Sequence, residues 1–346
     1  MPNYRHIKHN DMRNQNLAMI LNYLHQYGPI SRAQLSKALG INKASISTTV
    51  RELIADGIVV ELGVQSGSQN VGHPSIDIQI NPDAGRVIAL EVQPDRVLAA
   101  VTDVAPHILW QHETGWQEGS PWEDTQGIIC EEIDLACREA RRYNLPILGL
   151  TLALPGMVDI EQNILLRSTV LGWENIDLKP CMRGNEDIPF YSGNEAHIAA
   201  LGDSYYGNSR DATYALYLSL GKGVSAGITV NQNVVPGGLG LAGEVGHMLI
   251  DPRGEHCPCG SQGCWNLLVN QEALLQRVLN DGTDGGKVMR PITNMQGILK
   301  AAAAGDAPVL RALEETGRWL GYGTASLINI LNPECVTIGG PLSAAY

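Results

Sequence analysis

The chain has 346 residues, 44% of them hydrophobic, with a net charge of −12 at pH 7. That is enough apolar chain for a sizeable core and for two or three domains. No apolar run reaches the ~20 residues of a membrane span, and Met1-Pro2-Asn3-Tyr4-Arg5-His6 lacks the apolar heart of a signal peptide, so a cytoplasmic protein with no membrane partner is expected.

The charge is unevenly placed. Through Leu53, the cations Arg5, Lys8, Arg13, Arg32, Lys37, Lys43 and Arg51 stand against Asp11 and Glu52, a balance of +5 that leaves −17 on the remainder. A basic head on an acidic body is what a protein needs if its head alone meets phosphate. A charged face that merely solvates helices is the plainer alternative.

Leu17, Ile20, Leu21 and Leu24 recur at helical spacing, so Arg13 to Tyr27 reads as an amphipathic helix stopped by Gly28-Pro29. Ser31 with Gln34 forms a capping box for a second helix ending at Gly40, with Leu35 and Leu39 on one side. Asn42 caps a third, Lys43 to Asp56, whose buried side is Ile46, Val50, Leu53 and Ile54. Two short helices joined by a glycine turn make a helix-turn-helix. The third helix would then present Lys43, Ser45, Ser47, Thr48, Thr49 and Arg51 to a duplex, as hydroxyls and cations suited to phosphate and major-groove contacts. Ile58 to Leu62 and Ser75 to Ile80 alternate like two strands, with a glycine- and serine-rich wing between them.

In the body, Val87–Glu91, Val97–Thr102 and Ile108–Gln111 are β-prone, a helix follows near Trp122 to Asn144, and Ile147–Leu154 reads as a buried strand. Tyr214–Leu220 and Val224–Val230 flank Gly221-Lys222-Gly223, which either turns a hairpin or cradles a phosphate. A helix over Gly321–Leu331 leads into a last strand, Val336 to Gly340. The body is therefore expected to be an α/β unit of two lobes.

His247 with Cys257, Cys259 and Cys264 offers one imidazole and three thiols within eighteen residues, the donor set of a closed, structural Cys3His zinc site. Gly260 and Gly263 suit the tight turns of such a knuckle. Free surface thiols, or one disulfide with a spare, are the alternatives. The other cysteines, Cys130, Cys137, Cys181 and Cys335, are scattered in apolar or helical settings, which suits a reducing compartment better than a disulfide framework.

Glu244-x-x-His247, Cys257-x-Cys259-Gly260-x-x-Gly263-Cys264, Asn194-Glu195 and Ile338-Gly339-Gly340-Pro341-Leu342 resemble the ROK family of bacterial sugar kinases and transcriptional repressors. Gly28-Pro29-Ile30-Ser31-Arg32 with Leu35 is similar to the winged helix that the repressor branch carries. The resemblance implies an N-terminal winged helix-turn-helix over 1–82 and a two-lobed, actin-like (ribonuclease H-like) body. Its lobes would span 83–193 and 194–346, with a sugar cleft between them. Asn194, Glu195, Glu244 and His247 match sugar-contacting positions, whereas Asn266 stands where the family has a further sugar-contacting glutamate and can hydrogen-bond without supplying charge, with Trp265 setting a flat apolar surface beside it. Trp173 in Leu171-Gly172-Trp173 either stacks on a sugar or fills the core. The repressor pattern also implies DNA contacts from Arg32, Lys43, Ser45, Ser47, Thr48 and Arg51 and from the wing at Gly72 and His73, where the family has Gly-Arg-Pro. Two departures speak against a kinase, leaving no catalytic residue to assign. Glu91-Val92-Gln93-Pro94-Asp95 replaces a glycine-rich phosphate turn, and Glu195 stands where the kinases carry a catalytic aspartate. Family members run on through a further helix beyond Gly339-Gly340, so an uncovered hydrophobic face is expected near Tyr346. The expected protein is a regulator of carbohydrate genes, a repressor by resemblance, that binds double-stranded operator DNA as a homodimer or dimer of dimers and responds to a sugar, with an ATP-dependent sugar kinase bearing a DNA-binding head as the alternative.

Overall fold

The computed structural model describes residues 9–63, 76–238, 240–281, 292 and 294–345. Its N-terminal unit is built from α1 (His9–Tyr27), β1 (Ile30–Ser31), α2 (Arg32–Leu39), α3 (Lys43–Ala55), β2 (Val59–Glu61) and β3 (Asp77–Ile80). The caps expected from sequence are present. Ser31 Oγ accepts the Gln34 N–H while Gln34 reaches back to Ser31, and Asn42 accepts from Ser45 N. Gly40 closes α2 at φ +66°, where a side chain would be strained. Ile20, Leu24, Leu35, Ile46, Val50, Leu53, Val59 and Ile78 bury together, so α1, α2, α3 and the sheet β1-β3-β2 share one core. Gly72 and His73 lie outside the described residues.

A five-stranded sheet of order β11-β7-β4-β5-β6 follows. Its β4 (Arg86–Gln93), β5 (Arg96–Thr102) and β6 (Ile108–Gly115) form an antiparallel meander. Helix α4 (Trp122–Arg141) then crosses over, so that β7 (Ile147–Leu154) and β11 (Phe190–Asn194) lie parallel to β4. The buried face of α4 repeats at Ile129, Ile133, Ala136, Cys137 and Ala140, which seats it on this sheet. A smaller sheet, β10-β9-β8, spans Met157–Asp159, Ile164–Ser168 and Trp173–Asp177 and was not foreseen from sequence. Trp173 is buried there, its Nε1–H donated to the Ser120 carbonyl at 3.0 Å, which settles it as core. Cys130 and Cys181 are joined as a disulfide across α4 and the short helix at Lys179–Met182. This corrects the expectation of isolated thiols, because residues 51 apart in sequence meet under the sheet.

Helix α5 (Glu195–Tyr206) leads to a second sheet of order β14-β13-β12-β15, with β12 at Tyr214–Leu220, β13 at Val224–Val230, β14 at Asn233–Val234 and β15 at Cys335–Gly339. The strands pair antiparallel except β12 with β15, which are parallel. Helices α6 (Asn266–Val269), α7 (Gln271–Asp281), α8 (Met295–Ala303) and α9 (Ala307–Leu331) complete a separate core centred on Trp265. Trp265 is wholly buried and donates Nε1–H to the Trp319 carbonyl, so it holds α9 in place and offers no flat surface to a ligand. Ile328 and Ile330 of α9 and Ile338 of β15 are exposed, and no described helix is long and apolar enough to cross a membrane.

Gly323 lets α9 pass over Trp265, since a Cβ there would sit 2.1 Å from the ring. Helix propensity alone would make Gly323→Ala stabilising by about 1 kcal/mol. The clash is expected to reverse that sign, with a loss of about 1–3 kcal/mol read as a lower urea midpoint.

Candidate functional site

A cavity of about 430 Å³ opens between the two large sheets, a volume in the range of small-molecule sites. Its first wall comes from the β4–β5 turn, Pro155-Gly156 and Ser168–Val170. Its second comes from α5, the β12–β13 turn, Glu244, His247 and Asn266. All five residues expected to contact a ligand line it.

Asn194 is the last residue of β11 and the N-cap of α5. Its Oδ1 accepts the N–H groups of Ala196 and His197 at 2.9 and 3.2 Å, and its Nδ2 donates to the Gly156 carbonyl at 2.9 Å. The helix therefore claims most of this amide, and one N–H is left for a ligand. Glu195 follows in the first turn. Ser225 Oγ donates to its Oε1 at 2.7 Å, and Oε2 is buried without a partner. Burial, with the nearby charges of Glu244 and Glu91 adding to it, pushes the Glu195 carboxyl up to about 7. Ser225 was missed in the sequence, because nothing in a β-strand's spacing marks a residue thirty positions away as its partner.

Glu244 and His247 sit on a segment strapped to β13. Ala226 N donates to the Gly243 carbonyl at 2.8 Å, and His197 Nε2 donates to the Ala242 carbonyl at 2.6 Å. A Cβ at Gly243 would lie 1.8 Å from the Ala226 carbonyl, so glycine is required for that approach. Burial raises the Glu244 carboxyl above its usual range. Asn266 begins α6, and its Oδ1 is a second buried oxygen without a partner. Two buried oxygens without a partner beside one cavity could accept from hydroxyl donors.

The other ring edge of His247 meets the cysteines. Its Nδ1 is 3.6 Å from Cys257 Sγ, Cys259 Sγ is 3.7 Å from Cys264 Sγ, and all four donor atoms lie within 4.8 Å of one another. A tetrahedron with arms of about 2.3 Å has edges of about 3.8 Å, so the His/Cys cluster has the dimensions to hold a metal ion. Gly260 and Gly263 take φ +94° and +67°, as the knuckle turns require. Burial, then the Arg167 charge, holds the imidazole below its usual value, in the neutral form a metal binds.

The β4–β5 turn closes on itself. Glu91 Oε1 accepts from Gln93 Nε2, Gln93 Oε1 accepts from Arg96 Nε, and Trp116 donates to the Pro94 and Asp95 carbonyls. Gly221-Lys222-Gly223 turns the β12–β13 hairpin, and Lys222 Nζ pairs with Glu118 across the cavity mouth. On α3, Lys43, Thr48 and Arg51 are exposed and Ser45 and Ser47 half-buried, whereas Thr49 faces the core, which corrects its assignment to the open face. Arg32 is paired with Glu61 of β2 at 2.6 Å, so a phosphate would have to compete for it.

Residues 87–346 match the family model for the ROK family, and residues 18–65 match that for the MarR family. The chain belongs to the ROK family. It is 29% identical to the xylose repressor of Caldicellulosiruptor bescii over 97% of this chain and 85% of that protein. The crystal structure of a ROK family transcriptional regulator, a homolog of the E. coli MLC protein, superposes with a TM-score of 0.80 at 28% identity, covering 96% of this chain and 85% of that one. A ROK family glucokinase from Streptomyces griseus, in complex with glucose and AMPPNP, superposes with a TM-score of 0.66 at 24% identity over 75% and 85% of the two chains. That likeness establishes the shared fold. The N-terminal MarR-like winged helix-turn-helix on an α/β ROK body is the architecture of the repressor relatives.

A carboxyl raised by folding favours the protonated form, so its contribution to stability is present at low pH and is lost as pH rises through about 7. Thermal midpoints of the ligand-free protein are therefore expected to fall between pH 4.5 and about 7 and to level off above that. Glu195→Gln, which keeps the shape and cannot ionise, should flatten that slope; an unchanged slope would assign it elsewhere.

Proposed function

We propose that this chain is a sugar-responsive DNA-binding transcriptional regulator, a repressor in its working mode, acting on carbohydrate genes. The observation that carries the reading is the joining, in one chain, of a recognition helix with exposed Lys43 and Arg51 to a cavity lined by Glu91, Asp95, Glu195 and Glu244. The division of labour is 1–82 for DNA, 83–193 for the first wall of the cleft and 194–346 for the second. DNA contacts come from Lys43, Ser45, Ser47, Thr48 and Arg51, with Arg32 at the start of α2 and Gly72 and His73 added to them. A single winged helix covers one half-site, so a homodimer on a pseudo-palindromic operator is the working form, in the cytoplasm with the chromosome.

The ligand is an uncharged sugar. Carboxylates and amides accept and donate to vicinal hydroxyls, whereas a phosphate ester would meet four carboxyl groups and a lysine already engaged by Glu118. Asn194, Glu195, Glu244, His247 and Asn266 are the contacts. Zinc is the ion that His247, Cys257, Cys259 and Cys264 would hold, with a structural role, since four protein donors leave no open position. Burial and the neighbouring thiols push Cys264 up to about 12, the opposite of what a dication does, so its deprotonation and metal binding are one event. The same features speak against phosphoryl transfer. The β4–β5 turn has spent its polar groups internally and Pro94 lacks an N–H, so nothing there cradles a phosphate.

Calorimetric titration with D-xylose, D-glucose and N-acetyl-D-glucosamine, each beside its phosphate ester, tests the cleft; one free sugar should bind and no ester should. Sugar-dependent ADP release would overturn the regulator reading in favour of a kinase. Cys259→Ser should lose stoichiometric zinc by elemental analysis and weaken sugar binding with it, and equal metal content in both proteins would break that link. Arg51→Ala should lower DNA affinity uniformly across sequences and flatten the log–log salt slope by about 1, with sugar affinity unchanged.

A further inference from the structure

Helix α5 touches the cleft at one end and the DNA-binding unit at the other. Its twelve residues span about 18 Å at 1.5 Å per residue. At the first end stand Asn194, bonded to Gly156 of the opposite wall, and Glu195, bonded to Ser225. At the far end Tyr205 and Tyr206 flank the His25 ring of α1, with centroids 6.2 and 5.0 Å away. Just beyond, the Arg210 guanidinium lies over the Tyr27 ring at 4.9 Å, and the Tyr27 hydroxyl donates to Asp211 Oδ1 at 3.0 Å.

The segment that carries this clasp is tied both to the end of the helix and to the second sheet. Asp203 accepts from Asn208 N at 3.1 Å and from Thr337 Oγ1 at 2.8 Å, and the Arg210 carbonyl accepts from Gln232 Nε2 at 3.2 Å. On its sheet side α5 rides on Gly227 of β13. A Cβ there would fall 2.3 Å from Ala200 Cβ and 2.4 Å from the Ala196 carbonyl, so at that position the helix meets the strand closely, backbone against backbone. Such a contact permits the small sliding shifts by which packed helices change place. On the other side of the clasp α1 shares its core with α3 through Ile20, Leu24, Ile46 and Val50, so displacing α1 displaces the recognition helix as one body.

We propose that α5 carries the state of the cleft to the DNA-binding unit, and that Tyr27, Arg210 and Asp211 are positioning residues that set the orientation of that unit on the body. The proposal rests on the reading of the cleft as a sugar site and of the head as a DNA reader. A ligand that draws Glu195 and the Asn194 amide toward itself pulls the start of α5, and the clasp is where that displacement is delivered.

The test uses the full chain and a duplex carrying the promoter region of its own gene. DNA affinity is measured by anisotropy at fixed salt, with and without whichever of D-xylose, D-glucose and N-acetyl-D-glucosamine binds in calorimetry. The wild type should show a ratio of the two DNA affinities in the allosteric range of about 5- to 150-fold. Tyr27→Phe combined with Asp211→Ala should bring the ratio close to 1 while calorimetric sugar affinity stays within about threefold. A ratio that survives the double variant overturns the proposal, as does a loss of DNA affinity that is equal with and without sugar. As a second readout on the unaltered protein, sugar should change amide hydrogen exchange at 204–212 and at 23–28 together; a change confined to the cleft also overturns it. A wild type that binds no sugar, or whose DNA affinity ignores sugar, removes the functional reading itself and is seen before any variant is made.

Discussion

One imidazole, set among three thiols, stands at the second wall of the cleft. The turn Val245–His247 is three residues long and cannot by itself orient a side chain. The knuckle that follows has little secondary structure of its own, with isolated bridges at Leu249–Cys264 and His256–Gln262. Four donors converging within 4.8 Å supply what those elements lack. A metal held by 247–264 would tie Glu244 and His247 on one side to Asn266 on the other, two residues past Cys264. Three residues lining the cleft would then depend on one cross-link, standing in for a hydrophobic core that so few residues cannot build.

The cleft's polar groups divide into those that are spent and those that are free. Asn194 is spent on capping α5 and on Gly156, whereas Glu195 Oε2 and Asn266 Oδ1 are buried without partners. An orphaned buried acceptor costs about 1–3 kcal/mol until a donor reaches it. Hydroxyl donors therefore gain there what water cannot supply, and an apolar ligand gains nothing. Raised carboxyls at Glu195 and Glu244 have the same origin: a low-dielectric cavity with few cations resists accumulating negative charge. That resistance would favour a neutral ligand over a phosphate ester.

Much of this was legible in the sequence because local chemistry decided it. The capping box at Ser31, the glycine stop at Gly40, the strand Ile147–Leu154 and the spacing of the metal donors each depend on residues within a few positions of one another. What stayed hidden was long-range. The Cys130–Cys181 pairing, the Ser225–Glu195 hydrogen bond and the burial of Trp265 beneath Gly323 need the tertiary arrangement before they can be named. Thr49 shows the limit at short range, since its hydroxyl reads as polar surface while the packing of α3 turns it inward. The small sheet β8–β10 escaped because its strands are three to five residues long, too short for alternation to separate from a loop.

The charge asymmetry gives head orientation an energy of its own. DNA presents a dense line of phosphates, and a body (residues 83–346) with −14 elementary charges is repelled from it wherever the two approach within about a Debye length, ~8 Å at physiological salt. The basic face of the head, which carries +2 over residues 1–82, must be delivered to the groove while the body is held back. Tilting the recognition helix toward the body would bring acidic surface against the backbone without breaking one DNA contact. In a dimer each tilt also changes the spacing of two helices that must match one turn of the duplex, about 34 Å. A rotation of a few degrees at the base of α1 therefore acts twice, through repulsion and through register. Sub-ångström changes in a sugar cleft can be felt at an operator without any residue of the cleft coming near DNA.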